Sequence, residues 1–150
     1  MKAFRIRNLK KATSALFAGE LFDSFLFYEG TFHTSYRLSL DGRRNLSFYS
    51  EDEKPNLPDR EYITWAEARP LCFQILKGKK LPVSFKLVLM DPSRPEEADR
   101  LINIRYEHDQ LTIITSVSFK TFTRNRDLEQ EWDAATYRLL CSQDIDADEE

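Results

Sequence analysis

The chain has no apolar run near the roughly 18 residues that a membrane-spanning helix requires, so no span is expected. Its first residues are charged and amphipathic and hold no signal-peptide core, which makes the cytoplasm the expected compartment. Cysteine is scarce. Cys72 and Cys141 are the only two, each in an apolar helical context, and they read as reduced thiols in or near the core. Histidine is equally sparse, and zinc-ligand spacings are missing; no metal and no cofactor is expected. There is no Walker loop, because Gly78 is followed by lysines and no glycine precedes it at the required spacing. Nor is there an excess of basic charge. The formal net charge of −3 carries no global nucleic-acid signature, since domains that bind nucleic acid are usually basic.

What is present describes a folded domain. A chain of 150 residues can bury a sizeable core without disulfides or metals. Its 11 phenylalanines point to a core built on aromatic side chains and argue against general disorder. Negative charge is concentrated at the end, in Asp144, Asp146, Asp148, Glu149 and Glu150, and without it the body is slightly basic. The expected organisation is one domain over residues 1–141 and an acidic, disordered tail over 142–150.

The most informative stretch is Thr64–Met90. Thr64 and Glu67 stand at capping-box spacing, and Trp65, Ala68, Leu71 or Cys72, Ile75 and Leu76 recur on one helical face. Pro70 predicts either a kink or a helix that begins near Ala68. Gly78 ends the helix, and Lys77 and Lys79 complement the negative end of its dipole. From Val83 to Met90 the period changes to two, which predicts a strand with Val83, Phe85, Leu87 and Leu89 on its core side.

Elsewhere, Ala3–Arg7 alternates like a strand, and Asn8 caps a helix over Leu9–Ala18 closed by Gly19. Strands are predicted at about 24–34 and 36–41, with Asp41-Gly42 as a turn and a short third strand around Leu46–Tyr49. Residues 50–59 read as a polar loop, and 91–95 as a turn leading into one helical turn at Pro95. Strands over 101–106 and 111–122 form a hairpin around Glu107–Gln110, a loop that does not demand two-residue turn chemistry. Asp127 and Gln130 signal the start of a final amphipathic helix carrying Leu128, Trp132, Ala135, Thr136, Leu139 and Leu140. The resulting order is β-α-β-β-(β)-α-β-β-β-α. It predicts an α+β fold with an antiparallel sheet and about three helices, because the short connections leave no room for repeated parallel crossovers.

Several strings resemble an uncharacterised family of similar-length proteins from Gram-positive bacteria. They include Phe22-Asp23-x-Phe25, Arg69-Pro70-x-Cys72-Phe73, Lys77-Gly78-Lys79-x-x-Pro82-x-x-Phe85, Asn103-x-Arg105-Tyr106 and Leu128-Glu129-x-x-Trp132-Asp133. That resemblance implies no activity and transfers no site. The pattern of a helix followed by successive strands, twice over, is also similar in topology to the unit of DNA sliding clamps. That similarity implies basic helices facing a nucleic-acid backbone, here Lys10, Lys11, Lys77, Lys79 and Lys80. One such unit cannot encircle DNA alone, the net charge is acidic, and the final helix is additional.

The leading candidate binding residues are therefore Lys77, Lys79 and Lys80, with Arg43, Arg44, Lys10 and Lys11. A phosphate site built on them would lose affinity steeply with salt; the bland alternative is a solvated helix end. Acid–base or metal chemistry would draw on Asp23, Glu29, Asp41 and His33, since Glu29, Thr31 and His33 share one strand face. Tyr28, Tyr36, Phe48 and Tyr106 are the aromatic residues available for stacking on bases. The expected function is a non-catalytic binding or structural module acting through protein contacts. Nucleic-acid association through the basic helix ends is the second reading, and a hydrolase or metal enzyme using Glu29 and His33 is the third.

Overall fold

A computed structural model describes the chain from residue 1 to 150 except for 59, 79, 94, 95 and 123. The elements are β1 (Ala3–Ile6), α1 (Leu9–Phe17), β2 (Leu26–His33), β3 (Arg37–Asp41), α2 (Trp65–Leu76), β4 (Ser84–Met90), β5 (Ala98–Glu107), β6 (Gln110–Phe119), α3 (Arg126–Ser142) and β7 (Ala147–Glu149). The seven strands make one sheet in the order β3-β2-β4-β5-β6-β1-β7, and every neighbouring pair is antiparallel. Three helices on an antiparallel sheet make the fold α+β.

Alternation along the strands sends one set of side chains into the core: Phe4 and Ile6 from β1, Phe85, Leu87 and Leu89 from β4, Ile102 and Ile104 from β5, and Leu111 and Ile113 from β6. All three helices pack into the same cluster, through Leu16 and Phe17, Trp65 and Cys72, and Trp132 and Leu140. The molecule is thus two layers, with helices on one side of the sheet. On the other side, among the described residues, a small cluster of Leu26, Tyr62 and Met90 is buried together.

Local chemistry explains the helix ends. The Asn8 side chain accepts from the Lys11 backbone N–H at the start of α1. At α2 both halves of the Thr64–Glu67 capping box are formed. Pro70 lies inside α2, yet the helix starts at Trp65 and runs through it. Trp65 is fully buried and its indole N–H donates to the Leu16 carbonyl at 3.0 Å, so packing against α1 holds the first turn ahead of the proline. Gly42 permits a close backbone approach: a Cβ there would overlap the Phe27 carbonyl oxygen.

Several expectations are corrected. Leu46–Phe48 is a 3-10 helix, because the Asn45 side chain accepts from both the backbone N–H and the hydroxyl of Ser47 and curls the segment. The polar loop holds a second 3-10 turn at Lys54–Asn56. The β5–β6 connection is a tight two-residue turn, with Glu107 paired to Gln110 and with His108 and Asp109 at φ 52° and 60°. Two left-handed residues give a turn twist that suits a hairpin, and the Tyr106 hydroxyl donates to Asp109 Oδ1 at 3.2 Å. Asn125, rather than Asp127, caps α3 by accepting from the Leu128 N–H. The helical turn expected at Pro95 falls on residues outside those described. The acidic C-terminus, expected to be disordered, contains β7. Ile145 is buried in the core, Lys2, Arg5 and Arg7 pair with Glu149, Glu150 and Asp148, and the Glu150 N–H donates to the Ala3 carbonyl at 2.8 Å.

Candidate functional site: an apolar groove between two helices

The apolar stripes of α1 and α2 meet over the sheet and leave a gap toward the C-terminal end of α2. Leu9, Thr13 and Phe17 form one wall, Phe73 and Leu76 the other, Leu81 and Pro82 close one end, and Phe85 and Tyr106 form the floor of a cavity of about 600 Å³. That volume lies in the range of ligand- and peptide-binding clefts. The floor is rigid. Phe85 stacks on Tyr106 at 5.4 Å and meets Phe17 edge-on at 5.6 Å. Burial, followed by the bond to Asp109, raises the Tyr106 phenol above its ordinary pKa, so it stays neutral.

Local sequence explains why the groove is left open. Pro82 follows the helix end by a few residues and with Leu81 closes only one end of the cleft, and Gly78 adopts φ 155°, which side-chain-bearing residues rarely take. Leu81 is 72% exposed and Phe73 42% exposed, values that mark them as rim residues rather than core. Leu71 and Val83 are exposed as well, and the Val83 N–H donates to the His33 carbonyl.

The candidate cations separate into groups. Lys10 and Lys77 line this one groove, from the start of α1 and the end of α2, and Lys80 is exposed on the following corner. Lys79 lies outside the described residues. Lys11 faces a different hollow, with Arg7, Tyr137 and Asp144. Arg43 and Arg44 sit near the opposite end of α2. Arg43 pairs with Glu61 at 3.2 Å, and Arg44 reaches Glu67 at 3.0 Å with its side chain 7% exposed. Their guanidinium charges are locked into local pairs and do not join the lysine corner.

The acid–base candidates are spread out. Glu29, Thr31 and His33 do share the outer face of β2, opposite Val88, Lys86 and Ser84 of β4. Glu29 and His33 stand four residues apart, about 13 Å along an extended strand. Asp23 is committed elsewhere, to a two-pronged pair with Arg69 at 3.0 Å per arm. Among the described residues, no group of three or more His, Cys, Asp or Glu side chains is placed to hold a metal. Cys72 is buried and desolvation pushes its thiol up to about 12, which removes thiolate character at neutral pH. Cys141, expected in or near the core, is exposed on α3.

Sequence reasoning missed the groove itself. Leu76 reads as an ordinary stripe residue, Phe73 belongs to no predicted face, and Tyr106 reads as a candidate for base stacking; it is buried at 5% exposure and forms the floor instead. The one available signal was an α2 apolar set wider than one face, with Leu71 and Phe73 beside Trp65, Ala68 and Cys72. No curated protein and no solved structure matches the chain. A family model described as a family of unknown function (DUF5721) matches residues 15–103 and again 91–148, and the chain belongs to that family.

Proposed function

We propose that this protein is a non-catalytic binding module acting through protein contacts, and that the α1–α2 groove receives an acidic amphipathic helix of a partner protein. The observation that carries this reading is an apolar cleft whose charged lining residues, among those described, are Lys10 and Lys77. An apolar floor requires apolar anchors, and lysines at the rim favour acidic flanks. The wall supplied by the 9 residues of α1 is about 14 Å long, which spans two to three turns of a docked helix and so takes anchors at i, i+3 or i+4, and i+7. The cytoplasm is the compartment that goes with this reading.

The second reading is a nucleic-acid-associated factor of clamp-like topology, and what favours it is the presence of Lys10 and Lys77, from two helix ends, in one groove. The two differ in what the apolar residues do. A nucleic-acid backbone engages the lysines alone, whereas a helix needs Phe73 and Leu81 as well.

The test uses isotope-labelled protein and a synthetic helix with leucines at i, i+3, i+7 and glutamates on its remaining face. Amide shifts are expected at Thr13, Phe73, Lys77 and Tyr106. Lys10→Glu with Lys77→Glu should weaken binding at least about tenfold, or ~1.4 kcal/mol, and Leu81→Asp should weaken it comparably. A lysine-bearing version of the same helix binding equally well overturns the reading. So does preferential binding of a short oligonucleotide at low salt that Leu81→Asp leaves unchanged.

A further inference from the structure

The two edges of the sheet are built differently. β7 is 3 residues long, and the acidic side chains at its end are held by Lys2, Arg5 and Arg7. The other edge, β3, has 5 residues, Arg37-Leu38-Ser39-Leu40-Asp41, and pairs in the sheet with β2 alone. Edges that are not blunted are templates for pairing with another chain.

The direction of the free backbone groups on β3 follows from the ladder. Gly42 N–H donates to the Tyr28 carbonyl and Thr34 N–H to the Tyr36 carbonyl, both at 2.9 Å, on either side of the pairs Gly30–Leu40 and Phe32–Leu38. Hydrogen-bonded pairs alternate in an antiparallel ladder, so Leu38 and Leu40 bond inward to β2. Arg37, Ser39 and Asp41 direct their N–H and C=O groups outward, and among the described residues those groups have no partner.

The side chains on this edge are complementary to themselves. Antiparallel pairing of β3 with β3 of a second copy, centred on Ser39, sets Arg37 opposite Asp41 at both ends and Leu38 opposite Leu40. The outward groups of Arg37, Ser39 and Asp41 are then the ones that face each other, giving about six backbone hydrogen bonds. Leu38 and Leu40, which pack partly buried against the core, meet their counterparts on the helix side of the sheet. A second observation points the same way. Within one chain Glu29 lies directly opposite Asp41, a like-charge cross-strand pair. Asp41 Oδ1 accepts from the Arg43 N–H at 2.9 Å, but the Arg43 side chain is paired with Glu61, and among the described residues no ion pair joins Glu29, Asp41 or Arg37. Arg37 of a second copy supplies the missing cation.

We infer that β3 is the interface of a two-fold homodimer in which the sheets of two copies join edge to edge, with Arg37 of each chain paired to Asp41 of the other. The pairing is isologous and closes at two chains.

Sedimentation velocity from about 1 µM to about 1 mM, a range that spans weak dimers, tests this. The weight-average mass should rise from one chain toward two and stop there. Ser39→Pro removes one outward N–H without touching the bonds to β2, and proline is tolerated on strand edges, so this variant should stay folded and monomeric throughout. Arg37→Glu should raise the dissociation constant at least about tenfold, and Arg37→Glu with Asp41→Arg should restore it, with amide spectra confirming the fold of each. A wild-type protein that stays at one chain across the range, a mass that grows past two, a folded Ser39→Pro variant that dimerises normally, or a double variant no tighter than the single one overturns the interface.

Discussion

Burial decides the chemistry of the two thiols. Cys72 lies among core residues, where desolvation raises its pKa to about 12, while Cys141 is exposed on α3. Thiolate is the reactive form, so at pH 8 the native protein should titrate one thiol rapidly with an aromatic disulfide reagent, and the second only after denaturation. Rapid reaction of both in the native state would contradict the packing of α2. At this scale the sequence is most legible where a residue acts on its immediate neighbours. Asn8 and Thr64 stand out as caps because the backbone N–H groups they accept from lie three residues away. Asp133 does not stand out. It reads as a solvent-facing helix position, yet it is buried, accepts from the Thr115 hydroxyl and lies 3.8 Å from the Met1 amino group. Nothing local announces a partner that the sheet delivers from 18 residues away.

Among elements, the connections were harder to read than the segments they join. The hairpin of β5 and β6 is visible as two apolar runs, but its turn lacks the Asn-Gly or Asp-Gly pair that signals two left-handed residues, so a longer loop is the natural expectation. The cost of that missing signal is measurable. Holding a side-chain-bearing residue in the left-handed region costs roughly 1–2 kcal/mol, and glycine gives back about 0.5–1 kcal/mol in unfolded-state entropy. His108→Gly, at φ 52°, should therefore raise the unfolding free energy by about 0.5–1 kcal/mol in urea titrations. No gain, or a loss, would mean that His108 makes a stabilising contact that offsets its strain. The segment Leu46–Phe48 failed for the opposite reason: its composition suits a strand, and one asparagine side chain was enough to curl it.

For the whole molecule, the α+β class and the three helices follow from the order of apolar periods, whereas the edges of the sheet do not. β7 pairs with a strand more than 140 residues away, and its acidic sequence reads as a solvated tail until Lys2, Arg5 and Arg7 are brought beside it. Ion pairs from Lys2, Arg5 and Arg7 add to the backbone bonds of the strand, which makes its docking depend on pH in both directions. The bond from Arg7 holds the Asp148 carboxyl below its usual range, so its contribution is present above the ordinary carboxylate pKa and is lost as pH falls through the depressed value. Glu149, chiefly through its bond to the ammonium, raises Lys2 above its usual range. That contribution is present below the ordinary lysine pKa and is lost as pH rises through the raised one. Hydrogen-exchange protection of the Glu150 N–H, which bonds to the Ala3 carbonyl, should accordingly be highest near neutrality and decline toward both extremes. At neutral pH, 1 M salt should lower it as well, because the screening length falls to about 3 Å. Release of β7 uncovers β1, but the cations it leaves there are all of one sign, so the exposed edge repels a second copy instead of pairing with it. Loss of protection in salt should therefore come with no growth in mass beyond what β3 gives; unchanged protection would place the stability of β7 in its backbone bonds and the Ile145 anchor.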